Sequence, residues 1–109
     1  MSRAADWTES ILIDDFPDDA QFIESGNANH VIVTWQIDDE NGQKRRNAPF
    51  VIIVDQAIVD RWDASNECWQ ADIEKRVREI IAERRAAYDE RGPVAVPQAF
   101  AVHLEEGAL

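Results

Sequence analysis

The sequence holds a single cysteine, Cys68, in 109 residues. One thiol excludes an internal disulfide and a zinc site built on a cysteine cluster. Glycine is scarce too, with four in the chain. They stand far apart, so no glycine-rich loop is available to cradle phosphate, and neither GxSxG nor HExxH occurs. No apolar run reaches transmembrane length, and no basic-then-apolar signal segment stands at the start. A reducing, cytoplasmic setting is the expectation. Bases are missing too: residues 1–42 contain only Arg3.

What is there is acid. The net charge is -11. Residues 1–42 hold ten acids against that one base, a net of -9, whereas residues 43–109 hold twelve acids and ten bases, a net of -2. A field of one sign on part of a small chain repels nucleic acid and anionic membrane and attracts basic surfaces. The competing account is that acidity keeps the protein soluble. Apolar content is 45%, enough to rule out wholesale disorder and to build one core, so residues 1–109 read as a single α+β domain.

The pattern is clearest over residues 30–54, HVIVTWQIDDENGQKRRNAPFVIIV. Asn41-Gly42 marks a two-residue type I′ turn, in which both residues need positive φ. That loop sets Glu40 opposite Gln43, Asp39 opposite Lys44 and Asp38 opposite Arg45, with two opposite-charge pairs across the strands. Further back it sets Trp35 against Ala48, Val33 against Phe50 and Val31 against Ile52. Alternation then buries Val31, Val33, Trp35, Ile37, Ala48, Phe50, Ile52 and Val54. Ile32, Thr34, Gln36, Pro49, Val51 and Ile53 occupy a second face, half apolar, which is partly covered or a contact surface. Pro49 cannot donate to a ladder, so its strand is expected to be bulged or at an edge there.

Before the hairpin, residues 4–16 place Trp7, Ile11, Leu12 and Phe16 at helical spacing, with Asp6 or Thr8 as candidate caps and Pro17 as the stop. Ala20–Ser25 reads as a short strand with Phe22 inward, followed by a Gly26-Asn27 turn. After the hairpin, Asp55 is a candidate N-cap for a short helix over 56–62, and Ser65 or Asn66 for a long one. The long helix carries Trp69, Ile73, Val77, Ile80 and Ile81 as its apolar stripe, and Gly92-Pro93 ends it. The tail alternates at Val94, Val96, Phe100, Val102 and Leu104, as an edge strand does that returns to the sheet or adds to a partner's.

The fold expectation is α+β. It is a two-layer sandwich with an antiparallel sheet of three to four strands built on the hairpin 30–54. An N-terminal helix, a short helix and a long C-terminal helix cover one face. The helix–three strands–helix order resembles the topology of the double-stranded RNA-binding domain. The long helix starts with Glu67, Asp72 and Glu74 where that family grips phosphate with bases, so the resemblance implies no RNA binding here.

Chemistry-bearing residues are few and dispersed. His30, His103 and Cys68 have no metal-ligand spacing, and Cys68 beside Trp69 reads as a small buried hydrophobe. The pairs Asp14-Asp15, Asp18-Asp19 and Asp38-Asp39 lack the alternation and glycine of a calcium loop. Lys44-Arg45-Arg46 reads as the structural counterpart of the acids across the turn. Trp7, Trp35, Trp62 and Trp69 fit core packing; one left exposed would be an interface anchor. No enzyme activity, cofactor or metal is expected.

The functional expectation is a small acidic binding protein that inhibits or regulates a basic, nucleic-acid-handling protein. Asp14, Asp15, Asp18, Asp19, Asp38, Asp39 and Glu40 would take the Arg and Lys positions that otherwise bind phosphate. In size and charge the chain resembles small inhibitors of phage-defence nucleases of the anti-CRISPR or antirestriction type. Neither direct nucleic-acid nor membrane binding is expected. The alternative is a homodimeric assembly module using the apolar second sheet face or the tail strand, and a further one is a small metal-dependent enzyme using His30, Cys68 and His103.

Overall fold

Two alanines followed by Trp7, Ile11 and Leu12 on one stripe make the first element a helix, α1 (Arg3–Leu12), in the computed structural model of the chain. The structure describes residues 3–24, 30–38, 41–88, 100–105 and 107. The helix starts earlier than its candidate caps. Thr8 therefore lies inside it and is buried, because Ala4 and Ala5 are themselves strong helix formers. A 3-10 turn, Ile13–Asp15, tightens the end of α1, and Phe16 turns into the core ahead of Pro17.

Among the described residues six strands follow the helix in two sheets: β1 (Gln21–Glu24), β2 (His30–Thr34), β3 (Gln36–Asp38), β4 (Lys44–Arg46), β5 (Phe50–Val54) and β6 (Phe100–Leu104). Helices α2 (Gln56–Ala64) and α3 (Glu67–Arg85) lie between β5 and β6. The main sheet has the order β1-β2-β5-β6, and β3 pairs with β4 as a separate ribbon. The architecture is α+β, with helices packed on a sheet. The sheet is mixed, however, rather than antiparallel: β6 runs parallel to β5, with Val102 beside Ile52 and Leu104 beside Val54. A period of two fixes which face a residue occupies but carries no direction. Two helices intervene between β5 and β6, and such a crossover delivers the next strand parallel.

The hairpin keeps its expected register where hydrophobic pairing sets it. Val31 faces Ile52 and Val33 faces Phe50. All eight residues of the expected inner face are buried. Beyond Trp35 the register slips by one. Asp38 faces Lys44 rather than Arg45, and Ile37 faces Arg45. Three residues, 47–49, stand opposite two, 34–35, which is a β-bulge at the Asn47-Ala48-Pro49 step. The slip lengthens the connection to residues 39–43, so a two-residue type I′ turn does not form. Among the described residues only Gly42 takes a left-handed φ, 77°.

Asn47 holds the bulge from inside. Its Oδ1 accepts from the Trp35 N–H at 2.9 Å and its own N–H donates to the Trp35 carbonyl at 3.1 Å. Its Nδ2 donates to the carbonyls of Val33 (3.3 Å) and Ala48 (3.0 Å) and to the Tyr88 hydroxyl (2.9 Å). The Tyr88 hydroxyl donates in turn to the Ala48 carbonyl. The Tyr88 ring closes the core over Trp35, Phe50 and Phe100, at centroid distances of 6.0, 4.9 and 5.4 Å.

The three helices cover the inner face of the main sheet. Ile58 and Val59 of α2 and Ile73, Val77 and Ile81 of α3 join the same core as Val102 and Leu104. Asn66 caps α3 by accepting from the Trp69 N–H at 3.0 Å. Asp55 occupies the N-cap position of α2, but its carboxylate engages His103 instead. Helix α3 ends at Arg85, before Gly92-Pro93, which lies outside the described residues together with the Gly26-Asn27 turn, Val94 and Val96. Trp69 and Cys68 also depart from expectation, because both are exposed, Trp69 at 60%. Both sit in the first turn of α3, where residues 67–69 are all exposed.

Candidate functional site

The acidic turn after α1 is fixed from beneath and from both sides. Beneath it, the Phe16 ring packs against Phe22, Phe50 and Trp35 at 5.6, 5.5 and 5.7 Å. On one side, α3 supplies two arginines. Arg78 Nε donates to the Ile11 carbonyl at 3.2 Å, and Arg85 donates to the Asp15 carbonyl at 2.6 Å while its guanidinium lies over the Phe16 ring at 4.9 Å. Helix α1 has no base in its own last turn. These arginines from a distant element therefore satisfy carbonyls at its negative end. On the other side, the Pro17 carbonyl accepts from the Ala20 N–H at 2.9 Å, and Asp19 Oδ2 accepts from the Gln36 N–H at 2.9 Å. That last bond ties the turn to the start of β3.

Five of the seven candidate carboxylates are described, and they fall into three groups. Asp19 and Asp38 meet around Lys44: the Lys44 ammonium is 2.8 Å from Asp38. The hydrogen bond to Asp38 and the charge of Asp38 hold the ammonium above its ordinary value of 10.5, and the charge of Asp19 adds to the effect. Asp15 sits 3.9 Å from Arg78. Asp14 and Asp18 are exposed and make no ion pair or hydrogen bond among the described residues. Asp39 and Glu40 lie outside the described residues. The acidic turn and the β3–β4 ribbon thus converge through Asp19, Gln36, Lys44 and Asp38. Of the basic run, Arg46 donates to Thr34 Oγ1 at 3.2 Å.

The residues weighed for metal or nucleophilic chemistry do not converge. His30 and His103 flank Ile53 in one cross-strand row on the outer sheet face. Cys68 is on α3, in the helix layer behind the opposite face. His103 Nε2 lies 2.8 Å from Asp55 Oδ1 and its Nδ1 lies 3.3 Å from Glu105 Oε1, so the two carboxylates occupy opposite ring nitrogens. Among the described residues no group of three His, Cys, Asp or Glu is placed to hold a metal. A surface cleft of about 460 Å³ runs between Asp15 and the outer side of α3. Its walls are Asp15, Glu74, Lys75, Arg78 and Glu79 with two alanines.

The outer face of the main sheet is more apolar than a solvent face needs to be. Ile23, Ile32, Val51 and Ala101 form one row across all four strands, and Ile53 lies between the two histidines in the next. Ile23 is 46% exposed, and Ile32, Val51 and Ile53 are half-buried.

Two features were beyond the reach of sequence reasoning. The Arg78 and Arg85 clamp joins residues about seventy positions apart, with no local pattern to signal it. The Asn47–Tyr88 contact is equally remote, although Pro49 signalled an irregularity at its site. No protein-family model matches the chain, and no curated protein or solved structure matches it either.

Proposed function

We propose that the chain is a non-enzymatic binding protein whose acidic end engages a basic, nucleic-acid-handling protein. The observation that carries this reading is the pinning of the 13–19 turn to β3 through Asp19 and Gln36. It sets the exposed Asp14 and Asp18 on the same rigid support as Asp38, whose sequence neighbours are Asp39 and Glu40. These carboxylates stand where a basic groove would otherwise receive phosphates. They steer the encounter and fix its orientation.

Exposed ion pairs are worth about 0.2–1 kcal/mol each, so the contact depends on several acting together. Neutralising four acids as Asp14→Asn, Asp15→Asn, Asp18→Asn and Asp19→Asn should cost about 1–4 kcal/mol of binding. The test is capture from nuclease-treated lysate on tagged protein, eluted with a salt gradient and read by mass spectrometry, with the fourfold variant run in parallel. The reading expects a basic nucleic-acid-binding protein that leaves at moderate salt and is lost with the variant. Salt-insensitive capture that survives neutralisation would contradict it.

The outer sheet face favours a second reading, a homodimer through Ile23, Ile32, Val51 and Ile53. Its signature is a concentration-dependent mass abolished by Val51→Lys or Ile53→Lys.

A further inference from the structure

Three large apolar side chains stand exposed among the described residues: Ile13 at 44%, Ile23 at 46% and Trp69 at 60%. Ile23 belongs to the outer sheet face. The other two lie in the helix layer, and their electrostatic surroundings are opposite. Trp69 lines a groove of about 100 Å³ with Arg61, Asp72, Ile73 and Arg76. Small-molecule sites begin near ~300 Å³, so this groove takes a single side chain rather than a cofactor. Trp69 and Ile73 are its apolar lining, and two guanidiniums against the single carboxylate of Asp72 stand beside them, a net positive rim. Arg76 is shared with Glu79 at 3.5 Å, whereas the Arg61 guanidinium makes no ion pair among the described residues. The groove calls for an aliphatic side chain with a carboxylate next to it.

The chain itself presents that combination. Ile13 projects from the 3-10 turn and is followed directly by Asp14, which is exposed and unpaired among the described residues. We propose that Ile13 of one copy seats in the Trp69 groove of a second copy, with Asp14 set against Arg61 and Arg76. The chain's own Ile13 cannot reach its own groove. Asp15 is held by Arg78 and Arg85, which lie about 14 Å and about 24 Å along α3 from Trp69. Knob and groove are different patches, so the contact is heterologous and either closes into a ring or continues head to tail. The charge of -11 on each copy opposes approach at low salt. At about 0.15 M salt the screening length is about 8 Å, which removes the remote repulsion and leaves the short-range contact. A single-knob interface falls below the ~1,200 Å² of stable complexes, so the association is weak. This inference stands apart from the acidic-end reading, although Asp14 serves both and the two contacts would compete.

The test is sedimentation velocity on the full chain from about 10 μM to about 1 mM, at about 0.15 M salt. Wild type should grow in mean mass with concentration. Trp69→Ala and Ile13→Lys, both at exposed positions and checked for folding by circular dichroism, should each weaken association by roughly tenfold or more. Mixed in equal amounts, they retain one intact knob and one intact groove and should form a heterodimer and nothing larger. In a second pair of variants, Arg61→Glu should weaken association, and adding Asp14→Arg in the same chain should restore it. A wild type that stays monomeric throughout would overturn the proposal, as would a mixture that forms no heterodimer. Loss of association in Val51→Lys but not in Trp69→Ala would also overturn it and place the contact on the outer sheet face.

Discussion

Replacing Asn47 with alanine should be among the most destabilising polar substitutions in this chain. Asn47 is 3% exposed and uses both ends of its amide. Truncation leaves the Trp35 N–H, now paired with Oδ1 at 2.9 Å, without an acceptor inside the core. An unsatisfied buried donor costs about 1–3 kcal/mol. The bonds from Nδ2 to the Val33 carbonyl and the Tyr88 hydroxyl go as well, each worth about 0.5–1.5 kcal/mol net. The Ala48 carbonyl keeps its bond from Tyr88 and loses less. The total is about 2–6 kcal/mol, a large part of the roughly 5–15 kcal/mol that holds a domain of this size. Asn47→Asp sharpens the test. It keeps the acceptor for Trp35 but turns a carboxylate oxygen toward two carbonyls. Burial raises the pKa of such a carboxyl above its unfolded value. Its folded form is therefore favoured at low pH and loses stability as pH rises, so Asn47→Asp should be less stable than Asn47→Ala at pH 7 and recover toward pH 4. Urea denaturation at both pH values gives the comparison, read from the midpoint at unchanged slope. A cycle with Tyr88→Phe should show coupling above about 0.5 kcal/mol. If Asn47→Ala stays within about 0.5 kcal/mol of wild type, the polar core of the bulge does not hold the ribbon in place.

Two further predictions concern the acidic end itself. Phe16→Ala removes the ring under the turn and should cost about 3–5 kcal/mol, with hydrogen exchange at Ala20 and Gln36 rising most once the aromatic support is gone. Lys44 has a folded pKa above its ordinary 10.5, so its contribution is fully present below that value and disappears as pH rises through the folded one. Amide exchange in β3 and β4 should therefore quicken in strongly alkaline solution relative to β2 and β5, and Lys44→Gln should remove the difference.

How far the sequence reached depended on the range of the interaction involved. Val31, Val33, Trp35, Phe50, Ile52 and Val54 could be assigned to one face because the strand period is local. The core positions of the first helix, Trp7, Ile11 and Leu12, could be assigned by the helical period, whereas Phe16, expected on the same helix, is buried from an extended residue beyond its end. The bulge was half legible. Pro49 signalled an irregularity, but a register counted back from Asn41-Gly42 spread one rule over both halves of the hairpin, and the extra residue at Asn47 breaks that rule. Trp69 continues the Ile73–Val77–Ile81 stripe by spacing alone, yet the fold leaves it 60% exposed, because a stripe has no signal for where along the helix the packing stops. Cys68, its neighbour, is exposed as well. At the acidic end the residue types were legible and the geometry was not. Nothing near Asp15 or Asp19 in the chain indicates Arg78, Arg85, Gln36 or Lys44.

The most direct test of the acidic-end account uses the basic protein that the chain captures. That protein's binding to its own labelled DNA or RNA is titrated with wild type and with the fourfold Asp14, Asp15, Asp18 and Asp19 variant. The account predicts that wild type displaces the nucleic acid in proportion to its occupancy, that added salt weakens the displacement, and that the variant displaces far less. A ternary complex in which nucleic acid and this chain are held together, or equal displacement by the variant, would contradict it.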